Sequence, residues 1–200
     1  MAAALAWASG IRLYAVIFLV GLAGQQQWVA LPEHLKVLSH TYVIVVSGGM
    51  FALEFLADKI PAIDSVWDVI HTVIRIPAGA LLAAGVIGVE DGAAWAVVAG
   101  LLGGTITAGT HFTKTGSRAL INASPEPVTN WTASFTEDAL TVGGLWLAVA
   151  HPAVFLVLLG AFILLMLWLL PNLWRFIRRL LLRLFRMLGL ADAEVQTTKS

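Results

Sequence analysis

The chain has 200 residues, of which 59% are hydrophobic and 12% are charged, and its formal net charge is zero. The apolar fraction exceeds the roughly 45–50% that is usual for soluble domains. A neutral chain is not expected to bind nucleic acid. Because the sequence contains no cysteine, it excludes disulfides, zinc–thiolate sites, iron–sulfur clusters and cysteine nucleophiles.

Six apolar segments are candidates for transmembrane helices, since a bilayer core about 30 Å thick needs roughly 20 apolar residues per span. The first includes residues 13–24, which could also serve as the core of a signal peptide. A signal peptide would begin with a basic region, whereas residues 1–11 are uncharged, so we expect a retained span. The six segments are 3–24, 41–57, 64–89, 93–113, 128–150 and 152–170.

The third segment combines an amphipathic half, residues 64–75, with an apolar half, residues 78–89. Pro77 lies between the halves and removes a backbone donor, which predicts a third helix that is broken by proline. Five spans with a re-entrant hairpin at residues 64–77 are the alternative. The fourth segment has Gly100, Gly103, Gly104 and Gly109, a spacing that favours close packing of helices.

A basic segment follows Pro171. Its five arginines are set among Leu and Phe and predict an amphipathic helix, residues 173–189, on an anionic membrane surface. The polar tail 190–200 is expected to be disordered, which leaves residues 1–172 as an all-α membrane domain. The arginines are Arg175, Arg178, Arg179, Arg183 and Arg186.

The basic residues also predict the orientation. If the arginine helix is cytoplasmic, six spans place both termini in the cytoplasm and Lys36 outside. Lys59, Arg75, Lys114 and Arg118 then lie on the cytoplasmic side, as the positive-inside rule requires. The chain is therefore expected in the cytoplasmic (inner) membrane.

Ionisable residues recur at helical spacing in three of the segments. Two of the stripes each fall on one helical face, and Glu54 and Asp58 are one turn apart at the end of the second span. Charges this close to hydrocarbon are costly and usually functional. The stripes are Asp64, Asp68, His71 and Arg75, and then His111, Lys114, Arg118 and Asn122.

Arg12, Glu137 and Asp138 lie deeper, near the middle of the first and fifth spans. An unpaired charge there would be very costly, so Arg12 is expected to face Glu137, Asp138 or Glu54. Together the stripes predict a polar cavity that opens to the cytoplasm and narrows toward a buried charge pair. Each group also has a simpler interpretation, as a solvated helix face, a snorkelling anchor or a static ion pair.

A divalent metal site is a further interpretation of the third segment. Asp64, Asp68 and His71 offer two carboxylates and an imidazole on one face, although Arg75 one turn later would oppose a cation. Glu126, between two prolines, could gate, ligate or cap a helix. Motifs of common hydrolases and nucleotide-binding proteins are absent from the sequence.

Two long motifs, EFLADKIPAIDSVWDVIHTVIRIPAGALLA and HFTKTGSRALINASPEPVTNW, are followed by EDAL. With these motifs the chain resembles the bacterial integral-membrane family known as domain of unknown function 4126, over nearly its whole length to about residue 174. The resemblance implies a membrane protein in which these motifs matter, and it supplies no chemistry.

Short matches between the halves suggest a weak inverted repeat, as in many small transporters. Gly10-x-Arg12 resembles Gly116-x-Arg118, and His71-x3-Arg75 resembles His111-x2-Lys114. The spacings within the halves differ, so the repeat is only suggested.

The sequence favours a transporter or channel for a small ion or polar solute, with proton coupling as an option. A metal-dependent enzyme acting on a lipid phosphate and a structural or lipid-organising protein are the alternatives. No catalytic residue or cofactor is predicted. Binding of a divalent metal and assembly into a homo-oligomer are left as alternatives. Anionic lipids are the expected partners of the arginine helix. The expected pathway residues are Arg12, Glu54, Asp58, Asp64, Asp68, His71, Arg75, His111, Lys114, Arg118, Asn122, Glu126, Glu137 and Asp138.

Overall fold

A computed structural model describes residues 1–88, 92–122 and 127–187 of the protein. The described ranges contain helices and no strands. A short 3₁₀ helix, Glu33–Ser39, lies between the first two α-helices. The α-helices are α1 (Ala2–Gln25), α2 (Thr41–Ala57), α3 (Pro61–Ile87), α4 (Ala93–Asn122), α5 (Pro127–Ala150) and α6 (Pro152–Met187).

Four helical segments in the described ranges are long and apolar enough to cross a membrane. The 3₁₀ helix and α2 together would add a fifth span that is bent by 67°. The protein is therefore a helical membrane-type chain, and the sixth span stays a prediction. The four segments are Ala2–Gln25, Ala62–Ile87, Ala93–Asn122 and Pro152–Leu169.

Helix α1 lies at the centre of the first compact unit, Met1–Gly160. It packs against α2, α3, α4 and α5, and 72% of its apolar window is buried, against 28% for the window in α3. Leu5, Leu13 and Val16 form part of the core around it. Large apolar side chains on α3 and α4, such as Val73 and Leu101, point outward, as expected for surfaces that face lipid.

Glycines allow α1, α3 and α4 to approach closely. A Cβ atom on Gly10 of α1 would lie 2.6 Å from Cβ of Thr110 and 2.7 Å from the carbonyl oxygen of Thr107. A Cβ on Gly103 of α4 would collide with Ala83, and one on Gly79 of α3 with Thr107. The close packing expected for the glycines of the fourth span is therefore present at Gly103, and the sequence prediction missed the contributions of Gly10 and Gly79.

The interrupted helix is α1 and not α3, so the predicted break at Pro77 is wrong. Helix α3 continues through Pro77, because a proline φ near −65° is itself helical and the cost is one lost hydrogen bond plus local crowding. Residues 64–77 therefore form no re-entrant hairpin. In α1, by contrast, Arg12 has non-helical angles, φ −143° and ψ 80°.

Two helices run farther than the sequence predicted. Helix α4 extends to Asn122, so the predicted apolar segment and the polar stripe that follows it belong to one continuous helix. Helix α6 continues through Pro171 to Met187, so the apolar span and the basic segment belong to one helix. The second compact unit begins within α6, at Ala161. Glu126 and the tail 190–200 lie outside the described residues.

Candidate functional site

Four cationic side chains of the first unit are buried to 95% or more: Arg12, Arg75, Lys114 and Arg118. They come from α1, α3 and α4. Burying an unpaired charge costs several kcal/mol or more, so each must be neutralised within the fold. Their partners define the ion-pair cluster, which consists of these four cations and Glu54, Asp58, Asp68, Glu137 and Asp138.

Arg12 joins α1 to α5 and to the end of α2. It forms ion pairs with Asp58, with Asp138 at 2.8 Å and with Glu137 at 3.5 Å. Its guanidinium also donates to Oγ of Ser134 at 2.9 Å. The expected pairs with Glu137 and Asp138 are therefore present, and Asp58 takes the place that the sequence offered to Glu54.

Arg75 joins α3 to α2 and α4. It pairs with Glu54, which is fully buried, and with Asp68 at 3.2 Å. Its Nη1 lies 3.3 Å from Nδ1 of His111 and 3.5 Å from the carbonyl oxygen of Ile11. The guanidinium therefore binds an acid on each of two helices and also reaches α1.

Arg118 binds Glu137 through both carboxylate oxygens. Its Nε lies 2.7 Å from Oε1 and its Nη2 lies 3.2 Å from Oε2. Nη2 also donates to Asp58 Oδ2 at 3.1 Å, and Nη1 to the Asn130 carbonyl at 3.2 Å. A bidentate pair of this kind fixes the orientation of both side chains, so α4 and α5 are held in register.

Lys114 occupies the centre of the cluster. Its ammonium lies between four carboxylates, and no distance is as short as the 2.7–2.9 Å typical of a charge-assisted hydrogen bond. The ammonium is therefore shared among several acids and bound tightly to none. Its Nζ lies 3.4 Å from Glu137, 3.5 Å from Asp68, and 3.9 Å from both Glu54 and Asp58.

The interruption of α1 supplies one more oxygen to this centre. At a helix break the last carbonyls of the preceding half lack helical partners and carry partial negative charge. The carbonyl of Ile11, directly before the break at Arg12, lies 3.3 Å from Lys114 Nζ. The break therefore adds a backbone ligand to a group of acidic side chains.

His111 is buried where α4 faces α3. Its Nδ1 lies 3.3 Å from Nη1 of Arg75, and its Nε2 lies 2.7 Å from Oγ1 of Thr72. Thr72 donates to the carbonyl of Asp68 at 2.8 Å. The imidazole therefore links Arg75 to a second polar residue of α3.

His71 and Asp64 lie outside the ion pairs. The His71 ring stacks on Trp67 with centroids 4.2 Å apart, and its Nδ1 lies 2.8 Å from the Trp67 carbonyl. Asp64 is fully buried and accepts from Nδ2 of Asn122 at 2.8 Å. Among the described residues no cation lies within 4 Å of Asp64. At the edge of the cluster, Asp64 is therefore hydrogen-bonded to a neutral amide and forms no ion pair with the described residues.

The three candidate metal ligands do not come together. Asp68 is bound by Arg75 and Lys114, Asp64 by Asn122, and His71 by the backbone of its own helix. No group of three His, Asp or Glu side chains in the described part of the chain is arranged to hold a metal ion. On this face of α3, Arg75 and Lys114 hold the carboxylate of Asp68 that a metal ion would need.

The cluster is closed in this structure, whereas the sequence predicted an open cavity. Apart from the two acids of α5, its side chains are at most a few per cent exposed. Glu137 is 13% exposed and Asp138 is 19% exposed. The α5 side is therefore the part of the cluster nearest to the surroundings.

Sequence reasoning missed a third polar stripe, on α5. Asn130, Ser134 and Thr141 are almost fully buried, and with Glu137 they follow the same spacing of four, three and four residues that identified the stripe on α3. The signal was present in the sequence. The three side chains are uncharged, whereas the stripes on α3 and α4 stand out by their charged residues.

Lys59, in the loop between α2 and α3, is not part of the cluster. Its Nζ lies 3.0 Å from the ring centroid of Phe55, 5.2 Å from that of Trp131 and 5.3 Å from that of Phe135. Burial lowers the pKa of the Lys59 ammonium. The lysine and its three aromatic neighbours form a separate surface feature of the kind found at membrane interfaces.

Comparison with known proteins gives one match. Residues 1–172 match the family described as Domain of unknown function (DUF4126). No curated protein and no solved structure matches the chain. The match spans every residue of the ion-pair cluster and most of the sequence, so the chain belongs to the DUF4126 family.

Proposed function

We propose that the protein is a transporter or channel for a small ion or polar solute and that transport is coupled to protons. The observation that carries this proposal is the interruption of α1 at Arg12, in the middle of a candidate span, with the ion-pair cluster packed around it. Interrupted helices and buried charges at membrane depth are typical of transport pathways.

The balance of charges supports proton coupling. Four buried cations face six carboxylates, since Asp64 adds to the five acids of the ion pairs. An excess of buried negative charge is stabilised when a proton or a cation binds. The mixed signs fit a small cation, a zwitterion, or an anion that moves with protons.

The proposed membrane arrangement follows the basic residues. Six spans would place both termini on the cytoplasmic side of a bacterial inner membrane, with the charged site in the cytoplasmic half. The arginine-rich part of α6 would contact anionic lipids, and a homo-oligomer fits the exposed apolar faces. The closed cluster would be an occluded state that opens to the cytoplasm, and the weak inverted repeat would supply the moving halves.

Flux measurements test the proposal. The purified chain is reconstituted in liposomes, a pH gradient is applied, and flux of protons and of candidate ions is followed. Glu54→Gln and Asp138→Asn should slow pH-driven flux at least tenfold, because each removes a buried acid. Glu33→Gln is the matched control, since Glu33 is exposed outside the cluster. Equal flux in all four proteins would refute the assigned roles.

A structural or lipid-organising role is the second candidate, since nearly every charge of the cluster is already paired. It predicts that the same variants lower the unfolding temperature while no proton or ion flux is measurable in any of them. The enzyme acting on a lipid phosphate has no such support, because its metal ligands have other partners.

A further inference from the structure

The contacts of α1 with its neighbours reverse their direction at Arg12. Before the break, the carbonyl of Ala6 accepts a hydrogen bond from Thr107 of α4, and the carbonyl of Ile11 accepts one from Lys114. Residue numbers therefore rise together along α1 and α4. The first half of α1 runs parallel to α4.

Beyond the break, α1 packs against α2 in the opposite sense. A Cβ atom on Gly48 of α2 would lie 3.0 Å from the ring of Phe18, and one on Gly21 of α1 would lie 3.1 Å from the side chain of Ile44. Residue numbers rise along α1 while they fall along α2. The second half of α1 is therefore antiparallel to α2.

Helices α2 and α4 themselves run in the same direction. Directly after the last turn of α2, Asp58 pairs with Arg118, in the last part of α4. Directly before the first turn of α2, Leu35 packs against Gly85 near the end of α3, and α4 begins a few residues after α3 ends. Since one half of α1 is parallel to α4 and the other is antiparallel to α2, the two halves are antiparallel to each other.

A cavity beside α1 gives the same result. Met1 lines an apolar cavity of about 340 Å³ together with Leu19, Val20 and Ala23. In a straight helix, a rise of 1.5 Å per residue would place Met1 about 33 Å from Ala23. The two ends of α1 therefore lie side by side, and the helix is folded into a hairpin with its tip at Arg12. We call it the α1 hairpin.

Both ends of the α1 hairpin lie beside the 3₁₀ helix that carries Lys36. Gly24 packs against Ser39 of that helix, and Met1 shares its cavity with Leu31, directly before the helix. The tip lies at the other end, within the ion-pair cluster.

Neither half of the α1 hairpin is long enough to cross a bilayer. Residues 2–11 and 13–25 each fall well short of the roughly 20 residues that a helical span needs. The body of the hairpin is apolar and closely packed, since Leu5, Leu13 and Val16 are at most 1% exposed. The hairpin therefore separates the ion-pair cluster at its tip from the side on which its two ends lie.

We infer that α1 is a re-entrant hairpin that enters the membrane from the side of Lys36 and closes the ion-pair cluster toward that side. The tip is fixed there by the ion pairs of Arg12 with Asp58, Glu137 and Asp138. In the proposed transport function, on which this inference rests, the hairpin is the gate on the side opposite to the cytoplasm.

The inference changes the proposed membrane arrangement at one point. Six straight spans place Ala2 and Lys36 on opposite sides of the membrane, whereas a re-entrant hairpin places them on the same side. The crossings of the later helices and the positions of Lys36 and Lys59 stay as proposed.

Thiol labelling tests the side from which α1 enters. Ala2→Cys, Lys36→Cys and Lys59→Cys are each the single cysteine of a chain that has none. They are treated in intact and in permeabilised cells with a membrane-impermeant thiol reagent. Ala2→Cys should react under the same conditions as Lys36→Cys. Reaction of Ala2→Cys under the conditions that label Lys59→Cys instead would overturn the inference and favour six straight spans.

Cross-linking in detergent tests the hairpin without reference to a membrane. The purified double variant Ala2→Cys/Ala23→Cys is treated with a short bismaleimide, and the products are identified by mass spectrometry. Because the ends of α1 lie side by side, most of the protein should carry an internal bridge. Ala2→Cys/Lys59→Cys is the matched control and should carry none, since Lys59 follows the far end of α2. A double variant Ala2→Cys/Ala23→Cys without an internal bridge would refute the hairpin.

A conservative substitution near the tip reports on closure. Ser9 is fully buried, so Ser9→Cys should resist the reagent while the hairpin is in place. Asp138→Asn removes a partner that lies 2.8 Å from Arg12 and should raise labelling of Ser9→Cys from the Lys36 side roughly threefold or more, because the tip is held less firmly. Ser47→Cys, which is buried on α2, is the matched control and should not change. Constant labelling of Ser9→Cys, or an equal rise at Ser47→Cys, would contradict the closing role.

None of these measurements depends on flux. Labelling and cross-linking as expected, in a protein without transport, would keep the hairpin and remove the transport function. Transport by a protein whose Ala2→Cys variant is labelled together with Lys59→Cys would do the reverse.

Discussion

Gly10 sets the distance between α1 and α4 at the level of a single residue. Replacing it by alanine would place Cβ 2.6 Å from the Thr110 side chain and 2.7 Å from a backbone carbonyl. We expect Gly10→Ala to destabilise the protein by about 1–3 kcal/mol, because neither neighbour can retreat without moving a helix. Gly49→Ala, with nothing within 4 Å, should cost nothing. Thermal unfolding in detergent compares the two, and similar losses would show that α1 and α4 are not tightly packed.

Arg75 illustrates the asymmetry of buried ion pairs. Removing one partner leaves the other charge unneutralised, so Arg75→Gln should cost about 3–5 kcal/mol. Adding Glu54→Gln should recover part of that loss, since Glu54 and Arg75 are direct partners in a fully buried pair. Lys36→Gln, which breaks an exposed pair with Glu33, should leave the unfolding temperature unchanged. Strictly additive losses in the double variant would argue against the pair.

At the scale of elements, helical spacing predicted more than local helix breakers did. The polar stripes of α3 and α4 both face the interior of the protein, because each stripe places its charges on one helical face. The bounds of α2 also agree with the segment predicted from the sequence. The break was assigned to Pro77, yet it occurs at Arg12. A proline can be recognised from the sequence of its own helix. The non-helical conformation of Arg12 is accompanied by ion pairs with Asp58 and Asp138, which lie outside α1. No local pattern could indicate those partners.

Thr107 joins α4 to α1, and this contact has a matched control on the same helix. Its Oγ1 lies 2.8 Å from the carbonyl of Ala6 on α1 and 2.8 Å from that of Gly103 on α4 itself, while Thr105 donates to the carbonyl of Leu101 on its own helix. We expect Thr107→Val to lower the unfolding free energy by about 0.5–1.5 kcal/mol and Thr105→Val to leave it unchanged. Denaturant or thermal unfolding measures both. The reverse order would contradict the role of Thr107 between helices.

For the whole molecule, the absence of cysteine makes topology directly testable. Single cysteines at Lys36 and Lys59 can be probed with a membrane-impermeant thiol reagent in intact cells. The positive-inside rule predicts labelling of Lys36→Cys from outside and labelling of Lys59→Cys only after permeabilisation. Labelling of both from the same side would refute the proposed orientation.

The convergence of charges on a common site could be predicted for the molecule as a whole, because buried charges in a membrane protein need partners. The choice of partners could not be predicted. Arg12 binds Asp58, which was not among its expected partners, and does not pair with Glu54, which was. Lys114 lies at the centre of the cluster. Those outcomes depend on how α1, α3 and α4 pack, and that packing depends on glycines at which a Cβ atom would collide with a neighbouring helix.

The central position of α1 has a consequence for how the protein is made. Helix α1 is synthesised before the other described helices, and its Arg12 binds Ser134, which lies 122 residues later in the chain. Until α5 has been synthesised and inserted, the arginine lacks Glu137 and Asp138 and has only Asp58 among its three acidic partners. The ion pairs of α1 are thus completed only when α5 is in place, and nascent chains that stop before α5 should be recognised as defective and degraded.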